Sequence, residues 1–338
     1  MAKERLIPSL FTPPLTHSYH PLAMKKVNGV ILDKPGKPDY HTPPSLRIIF
    51  PLETVSKILE RLSALRLASA ACAVGLLHSN QCRSLAGLGC FDAVATLPHK
   101  LRLLQAASFK VSTLFLDVKG GFDNLCANKL ASILTKGGVS AYLIAWIKSF
   151  RCRRQCQLIF QGAPRVFCPV GVGTPQGSPI SPLPFVLYIA SLHQSIPQGL
   201  AISYVDDLTI TVGSDSVCSN IRALQHNCGI IQRQGTDLGV AFSVPKTEVI
   251  HWRTLKDRSD VSFAPIVIND MLFPPSQAVR WLGYWLTPAI QTSIHFQRQL
   301  ALAQASFTTI RQLRAAGKGL SSWRNRKLGF GTILPILT

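Results

Sequence analysis

Three of the sixteen acidic residues stand where a carboxylate is expensive. Asp117 closes the apolar run Val111–Val118, with Asp123 just beyond it, and then no Asp or Glu occurs from Asn124 to Val205. The gap ends in Asp206-Asp207, set between Ile202-Ser203-Tyr204-Val205 and Leu208-Thr209-Ile210-Thr211-Val212. An acid pair inside a strand pattern is costly unless a turn, a cation or a metal accepts its charge. Two readings fit this spacing. In one, Asp206-Asp207 is a polar hairpin turn and Asp117 a strand-end residue capping the next helix. In the other, carboxylates from two adjacent strands hold two Mg²⁺ ions about 3.5–4 Å apart for phosphoryl transfer. Neighbours on a strand point to opposite faces, so Asp206 is the expected direct ligand and Asp207 the weaker one.

Charge favours the second reading. Lys and Arg number 36 against 16 acids, a formal charge of +20, and the pI is about 10. Such a surplus calls for a polyanionic partner, because neutralising phosphates releases counterions. An anionic membrane surface competes, but no apolar run reaches the ~18 residues of a spanning helix. The nearest, Leu65–Leu77, contains Arg66 and Gly75. A hydrophobic content of 47% in 338 residues excludes wholesale disorder and allows two domains. The nine cysteines include no C-x-x-C pair, which favours buried free thiols over a zinc site. With no signal-peptide pattern, the expected setting is intracellular.

The elements that must position these acids follow from periodicity. Leu52, Val55, Ile58, Leu59, Leu62 and Leu65 recur at helical spacing, and a second helix is expected over Phe91–Gln105. Val111–Val118 reads as a buried strand, followed by helices near Leu125–Thr135 and Tyr142–Phe150. A hairpin is expected from Gln157–Phe160 and Arg165–Val170, then a Gly/Pro loop from Gly171 to Pro182 and a helix through Leu192. Leu200–Val212 reads as a hairpin, Ile221–Leu238 as a helix, 248–284 as short strands and Phe296–Leu313 as a helix. Strands and helices alternate without a strict βαβ repeat, so the class is α+β.

Three segments then resemble the palm motifs of reverse transcriptases, in order and at suitable separations. They are Leu114-Phe115-Leu116-Asp117-Val118-Lys119-Gly120-Gly121-Phe122-Asp123-Asn124, Gly173-Thr174-Pro175-Gln176-Gly177-Ser178-Pro179 and Tyr204-Val205-Asp206-Asp207. The likeness is nearest to non-LTR (LINE-like) retrotransposon polymerases, especially those of filamentous fungi. Lys34–Tyr40 and Ser45–Ile49 resemble the fingers, and His78–Cys82 with Phe91-Asp92-Ala93 the next block. Val244-Pro245-Lys246-Thr247-Glu248 resembles the fourth palm motif and Arg280-Trp281-Leu282-Gly283-Tyr284 the primer grip.

The resemblance implies a right-hand polymerase: an N-terminal extension and fingers over 1–110, a palm of antiparallel sheet and packed helices over 111–285, and a partial helical thumb over 286–338. It implies an RNA-directed DNA polymerase joining dNTPs to a DNA primer on an RNA template, with Mg²⁺ or Mn²⁺ as cofactor. Asp117, Asp206 and Asp207 would hold the metals. Phe122 would exclude a 2′-hydroxyl, with ordinary core packing as the other reading. Gln176 would meet the incoming nucleotide, and Arg47 and Lys37 its triphosphate. Lys246 would be a general acid toward pyrophosphate or a structural lysine. Trp281, Leu282 and Gly283 would touch the primer. Residues 291–338 contain no acid, and Arg311, Arg314, Lys318, Arg324, Arg326 and Lys327 would follow the template-primer backbone. Arg151, Arg153 and Arg154 form a further candidate patch or a solvated face.

Several residues depart from the family pattern. Gly121 replaces an alanine, Pro184 an apolar helix-starting residue and Arg83 a small residue. The end at Leu334-Pro335-Ile336-Leu337-Thr338 is an apolar run expected to continue, so the chain reads as the polymerase portion of a larger element. A decayed copy that only binds nucleic acid and a maturase-like splicing protein are the alternatives. A nuclear location is expected for a genomic element, a mitochondrial one for an organellar intron product.

Overall fold

The computed structural model describes residues 10–34, 39–42, 45–78, 80–82, 89–122, 124–160, 163–171, 173–196, 200–253, 265–315 and 321–337. The chain falls into two compact units. The first comprises Met1–Leu97, Leu114–Val212 and Arg222–Thr247, the second Pro98–Thr113, Gly213–Ile221 and Glu248–Thr338.

In the first unit a mixed sheet has the order β2-β1-β5-β6, with β7 also on β5. Its strands are β1 (Lys26–Asp33), β2 (Leu46–Ile49), β5 (Arg154–Phe160), β6 (Ala163–Pro164) and β7 (Cys168–Val170). A second sheet runs β10-β4-β9-β8-β3, built from β3 (Gln81–Cys82), β4 (Lys110–Lys119), β8 (Leu200–Tyr204), β9 (Asp207–Ser214) and β10 (Ala241–Phe242). Most pairings are antiparallel, but β1 with β5 and β3 with β8 are parallel. Helices at 10–16 (α1), Thr54–Ala73 (α2), Cys90–Ala106 (α3), Ala127–Lys136 (α4), Ala141–Arg151 (α5), Pro182–Gln194 (α6) and Val217–Leu238 (α7) complete the α+β arrangement. The expected elements are present, mostly longer by a few residues, and Gly162 of the expected hairpin lies outside the described residues.

The core of this unit is organised around α6. Every side chain from Leu183 to Ala190 is buried, as an apolar helix without a polar face requires. Leu59 and Leu67 of α2, Leu130 and Leu134 of α4, and Trp146 and Phe150 of α5 pack into the same cluster.

Helix α2 departs from its sequence pattern. Its buried stripe is Ser56, Leu59, Glu60, Ser63, Ala64, Leu67 and Ala71. Val55, Ile58, Leu62 and Leu65, four of the residues that announce the helix, are exposed instead. The helix is rotated so that a carboxylate and two hydroxyls lie inside, an orientation that apolar periodicity cannot indicate.

Other expectations are corrected by local geometry. Pro184 lies in the first turn of α6, where backbone N–H groups have no intrahelical acceptor, so it costs no hydrogen bond. Arg151 and Arg154 are 9% and 3% exposed and cannot form a surface patch. All nine cysteines are free, but only Cys82, Cys156 and Cys228 are buried.

The second unit contains β11 (Glu248–Trp252) and the hairpins β12 (Ile266–Ile268) with β13 (Met271–Phe273) and β14 (Val279–Trp281) with β15 (Tyr284–Leu286). The first residues of β4 belong here: Ser112 Oγ bonds His251 Nδ1 at 2.7 Å, and Trp252 Nε1 donates to Thr113 at 2.7 Å. Helix α8 (Ser293–Ala315) follows, then α9 (Ser322–Leu328), which runs through a π-turn at Gly329–Ile333 into α10 (Leu334–Leu337). No helix among the described residues is long and apolar enough to cross a membrane.

Candidate active site

The carboxylates meet because two backbone features converge. Strand β4 is buried continuously from Val111 to Leu116, the pattern of a strand covered on both faces, and delivers Asp117 near its end. Strands β8 and β9 form a hairpin in which Tyr204 pairs with Asp207, leaving Val205-Asp206 as a two-residue loop. The Val118 amide donates to the Asp206 carbonyl at 3.0 Å, which fastens that loop to β4. Val205 is buried and held at φ 58°. A β-branched residue in the left-handed region is strained, at a cost of order 1–3 kcal/mol, and persists only where its surroundings enforce it.

The loop is thus a turn, as the simpler reading of the acid pair proposed, yet its charges are only partly solvated. Burial raises the Asp206 carboxyl above its usual range, and Asp117 adds to the effect, while Lys246 and Arg47 oppose it. Asp207 is pushed up to about 7, first by burial and then by Asp206 and Asp117. Uncompensated negative charge is what a divalent cation would neutralise.

The acids do not form a finished cage. Among the described residues no three His, Cys, Asp or Glu side chains group as metal ligands. A physical reason is visible at Asp117. The Ser243 amide donates to its carbonyl at 2.8 Å, and the short turn Val244–Lys246 brings Lys246 Nζ to 2.9 Å from both of its carboxylate oxygens. Lys246 is 62% exposed, so it is a mobile, solvent-screened cation at a place that suits a metal. The donor set fits a hard divalent cation once Lys246 moves.

The glycine-framed loop is fastened at several points. Thr174 donates its amide to the Phe122 carbonyl at 2.8 Å, and the Phe50 amide donates to the Gln176 carbonyl at 2.9 Å. Gly177 has φ +110°, and a Cβ there would lie 2.7 Å from the Phe50 carbonyl oxygen, so only glycine fits. Gln176 and Arg47 line a cavity of about 600 Å³ together with Arg151, Arg154 and apolar Val27 and Leu158. Phe122 is half-buried, its ring 5.4 Å from that of Phe185, so the gate position is also packed on the core. The departure at Gly121 is explained by the same ring, because a Cβ there would lie 2.5 Å from Phe185 Cζ. Lys37 and Asp123 lie outside the described residues.

Sequence reasoning missed the support beneath this loop. Ser178 Oγ donates to Glu60, and so does Ser56 Oγ at 2.7 Å. Arg154, at the start of β5, lies 3.8 Å from Glu60 and stacks 4.2 Å over the Phe150 ring. A Ser four residues before a Glu inside an apolar helix is the signal that could have found it.

In the second unit Trp281 is 4% exposed, so it braces the β14–β15 hairpin and cannot offer its ring to a primer. The turn Leu282-Gly283, with φ 50° and 88°, forms the hairpin tip. Arg311, Arg324, Arg326 and Lys327 are exposed, and Lys327 lies 4.1 Å over the Trp323 ring. Arg314 falls in α8, but its side chain and all of Lys318 lie outside the described residues.

Residues 32–286 match the family model of the reverse transcriptase (RNA-dependent DNA polymerase). The chain belongs to the reverse transcriptase family. It is 25% identical over 281 residues to a probable RNA-directed DNA polymerase from transposon X-element of Drosophila melanogaster, covering 82% of this chain and 30% of that protein. It is also 25% identical over 314 residues to a probable RNA-directed DNA polymerase from transposon BS of the same species, covering 90% and 34%. The mobile element jockey of Drosophila funebris has an RNA-directed DNA polymerase 25% identical over 313 residues, covering 89% and 32%. The chain thus spans about a third of these relatives. Among solved structures, apo telomerase from Candida tropicalis truncated from its C-terminal domain aligns with TM-score 0.52 at 13% identity, over 79% of this chain and 54% of that one. Telomerase from the same organism with a telomeric RNA fragment aligns with TM-score 0.53 at 11% identity, over 93% and 53%. The fold of this reverse transcriptase is therefore the α+β right-hand polymerase expected from its motifs.

Proposed function

We propose that this reverse transcriptase chain is the polymerase portion of a non-LTR retrotransposon protein, extending a DNA 3′ end with dNTPs on an RNA template. The observation that carries this reading is the mutual coupling of Asp117, Asp206 and Asp207 at the end of β4 and the β8–β9 turn, opposed only in part by Lys246 and Arg47. Mg²⁺, two ions with Mn²⁺ as substitute, would be held by these aspartates and would supply charge neutralisation at the primer hydroxyl and the leaving pyrophosphate.

The chain's own residues do the positioning on which phosphoryl transfer depends. Arg47 pairs with the triphosphate, Gln176 orients the nucleotide, and Phe122 stands under the sugar against a 2′-hydroxyl. Lys246, exposed and paired with Asp117, would be released when that carboxylate holds a cation and would serve the pyrophosphate as a proton donor. The exposed Arg311, Arg324, Arg326 and Lys327 hold the template-primer backbone. The motif set is of the kind found in elements of filamentous fungi, and a nuclear site of action suits a genomic element.

A silent, nucleic-acid-binding remnant is the second reading, favoured by the Lys246–Asp117 pair that fills one ligand position. Primer extension on an RNA template with a DNA primer, dNTPs and Mg²⁺ decides. Extension that vanishes in Asp206→Ala supports the polymerase. Salt-sensitive template-primer binding by the folded chain without extension supports the remnant.

A further inference from the structure

Helix α2 buries Ser56, Glu60 and Ser63 beside Leu59, Ala64 and Leu67, while apolar Val55, Ile58, Leu62 and Leu65 stay exposed, an exchange that burial alone does not favour. Something inside must hold it there. Glu60 is fully buried, and its carboxylate accepts hydrogen bonds from Ser56 on its own helix and from Ser178. Arg154 supplies the counter-charge at 3.8 Å. Ser178 stands two residues beyond Gln176, and its hydroxyl also accepts from the Ile180 amide at 3.3 Å, so it ties the loop to the start of α6. Arg154 lines the same cavity as Gln176. One carboxylate therefore joins a helix, the glycine-framed loop and the first residue of β5.

We propose that Glu60 is a positioning residue for the incoming nucleotide, fixing the Thr174–Ser178 loop through Ser178 and holding Arg154 as its counter-charge. This rests on the reading of that loop as a nucleotide contact. Other fastenings of the loop are backbone bonds with Phe122 and Phe50, the Arg151 guanidinium, which donates to the Gly173 carbonyl at 3.1 Å, and the Ser181 hydroxyl, which donates to the Pro175 carbonyl at 3.0 Å. Glu60 is the charged acceptor among these fastenings, and a hydrogen bond to a charged acceptor is about twice as strong as a neutral one. Losing its bond to Ser178 frees the segment on which Gln176 is carried.

The test compares Ser178→Ala, Glu60→Gln and Ile58→Ser, the last on the exposed face of the same helix. Two readouts are taken: amide exchange over residues 174–178 by mass spectrometry, and steady-state extension on an RNA template. Ser178→Ala is expected to speed exchange and raise KM for dNTP roughly tenfold, the scale of one charge-assisted hydrogen bond. At saturating dNTP kcat stays within about twofold, and template-primer affinity is unchanged, as uniform loss of nucleotide binding demands. Glu60→Gln loses the charge and one of the two acceptor oxygens and falls between wild type and Ser178→Ala, and Ile58→Ser matches wild type. The proposal is overturned if exchange and KM for dNTP do not move. It is equally overturned if KM, template-primer affinity and melting temperature all shift together, as a merely structural role predicts. Should wild type fail to extend any primer, the polymerase reading falls, and the exchange measurement alone then decides whether Glu60 anchors the loop.

Discussion

Two groups of carboxylate in the same unit, one buried and one half-buried, are treated oppositely. Glu60 is enclosed and satisfied, with two hydroxyl donors and a guanidinium around it. Asp206 and Asp207 are driven upward by burial, with Asp117 adding to both and Asp206 to Asp207, and Asp117 keeps an exposed lysine. A satisfied charge supports structure, because removing one partner strands the rest. An unsatisfied one marks where a ligand carries the missing charge. Burial raises the Glu60 carboxyl as well, but the hydrogen bonds from Ser178 and Ser56 and the charge of Arg154 pull it back.

Mutation of the two groups should separate them. Asp206→Ala is expected to cut extension by about 10³-fold or more, the scale of losing a principal electrostatic stabiliser, without lowering the melting temperature. Asp207→Asn should stabilise the fold at neutral pH by of order 2 kcal/mol, since a carboxyl displaced toward 7 is ionised there against its surroundings. Glu60→Ala should do the reverse, destabilising by roughly 3–5 kcal/mol in chemical denaturation because Arg154 is left buried and unpaired. If both groups behaved alike, the distinction would fail.

A smaller effect sharpens the picture of the scaffold. Gly121→Ala should cost about 1–3 kcal/mol through its clash with Phe185, and Phe185→Leu in the same chain should recover most of it. Thermal melts of the single and double variants check this.

A further prediction is a pH dependence near Arg154. His20 is 1% exposed, edge-on to Trp146 and Phe150, and is lowered to about 3 by burial, then by Arg154 and Lys25. Its folded value lies below its unfolded value near 6.5, so the unfolded chain binds the extra proton between them. The stability contribution is therefore complete above about 6.5 and is lost as pH falls toward 3. The difference between wild type and His20→Phe should change by about 1.4 kcal/mol per pH unit in that window. A flat difference in denaturation curves from pH 6 to 4 would contradict the assignment.

Much of this was legible in the sequence, because continuous apolar strands and a wholly apolar α6 admit few environments. The acid-free stretch ending in Asp206-Asp207 pointed to the candidate centre for the same reason, since charge inside a strand pattern is rare enough to stand out. The rotation of α2 was not legible. Hydrophobic spacing assumes that apolar side chains win the interior, and Glu60 overrides it through partners 118 residues away at Ser178. Trp281 misled in a related way, because a motif says that a residue is needed without saying whether it touches the ligand or braces what does. Gly121 became intelligible only with Phe185 in place, a contact between β4's following turn and α6.

The most direct test is extension of a DNA primer on an RNA template across a range of Mg²⁺ concentrations, for wild type, Asp206→Ala and Glu60→Gln. Wild type should extend with saturable Mg²⁺ dependence, Asp206→Ala should not extend at any concentration, and Glu60→Gln should keep the wild-type Mg²⁺ midpoint while requiring more dNTP. Extension by Asp206→Ala at the wild-type rate would show that the charge at the β8–β9 turn is not where the chemistry is done.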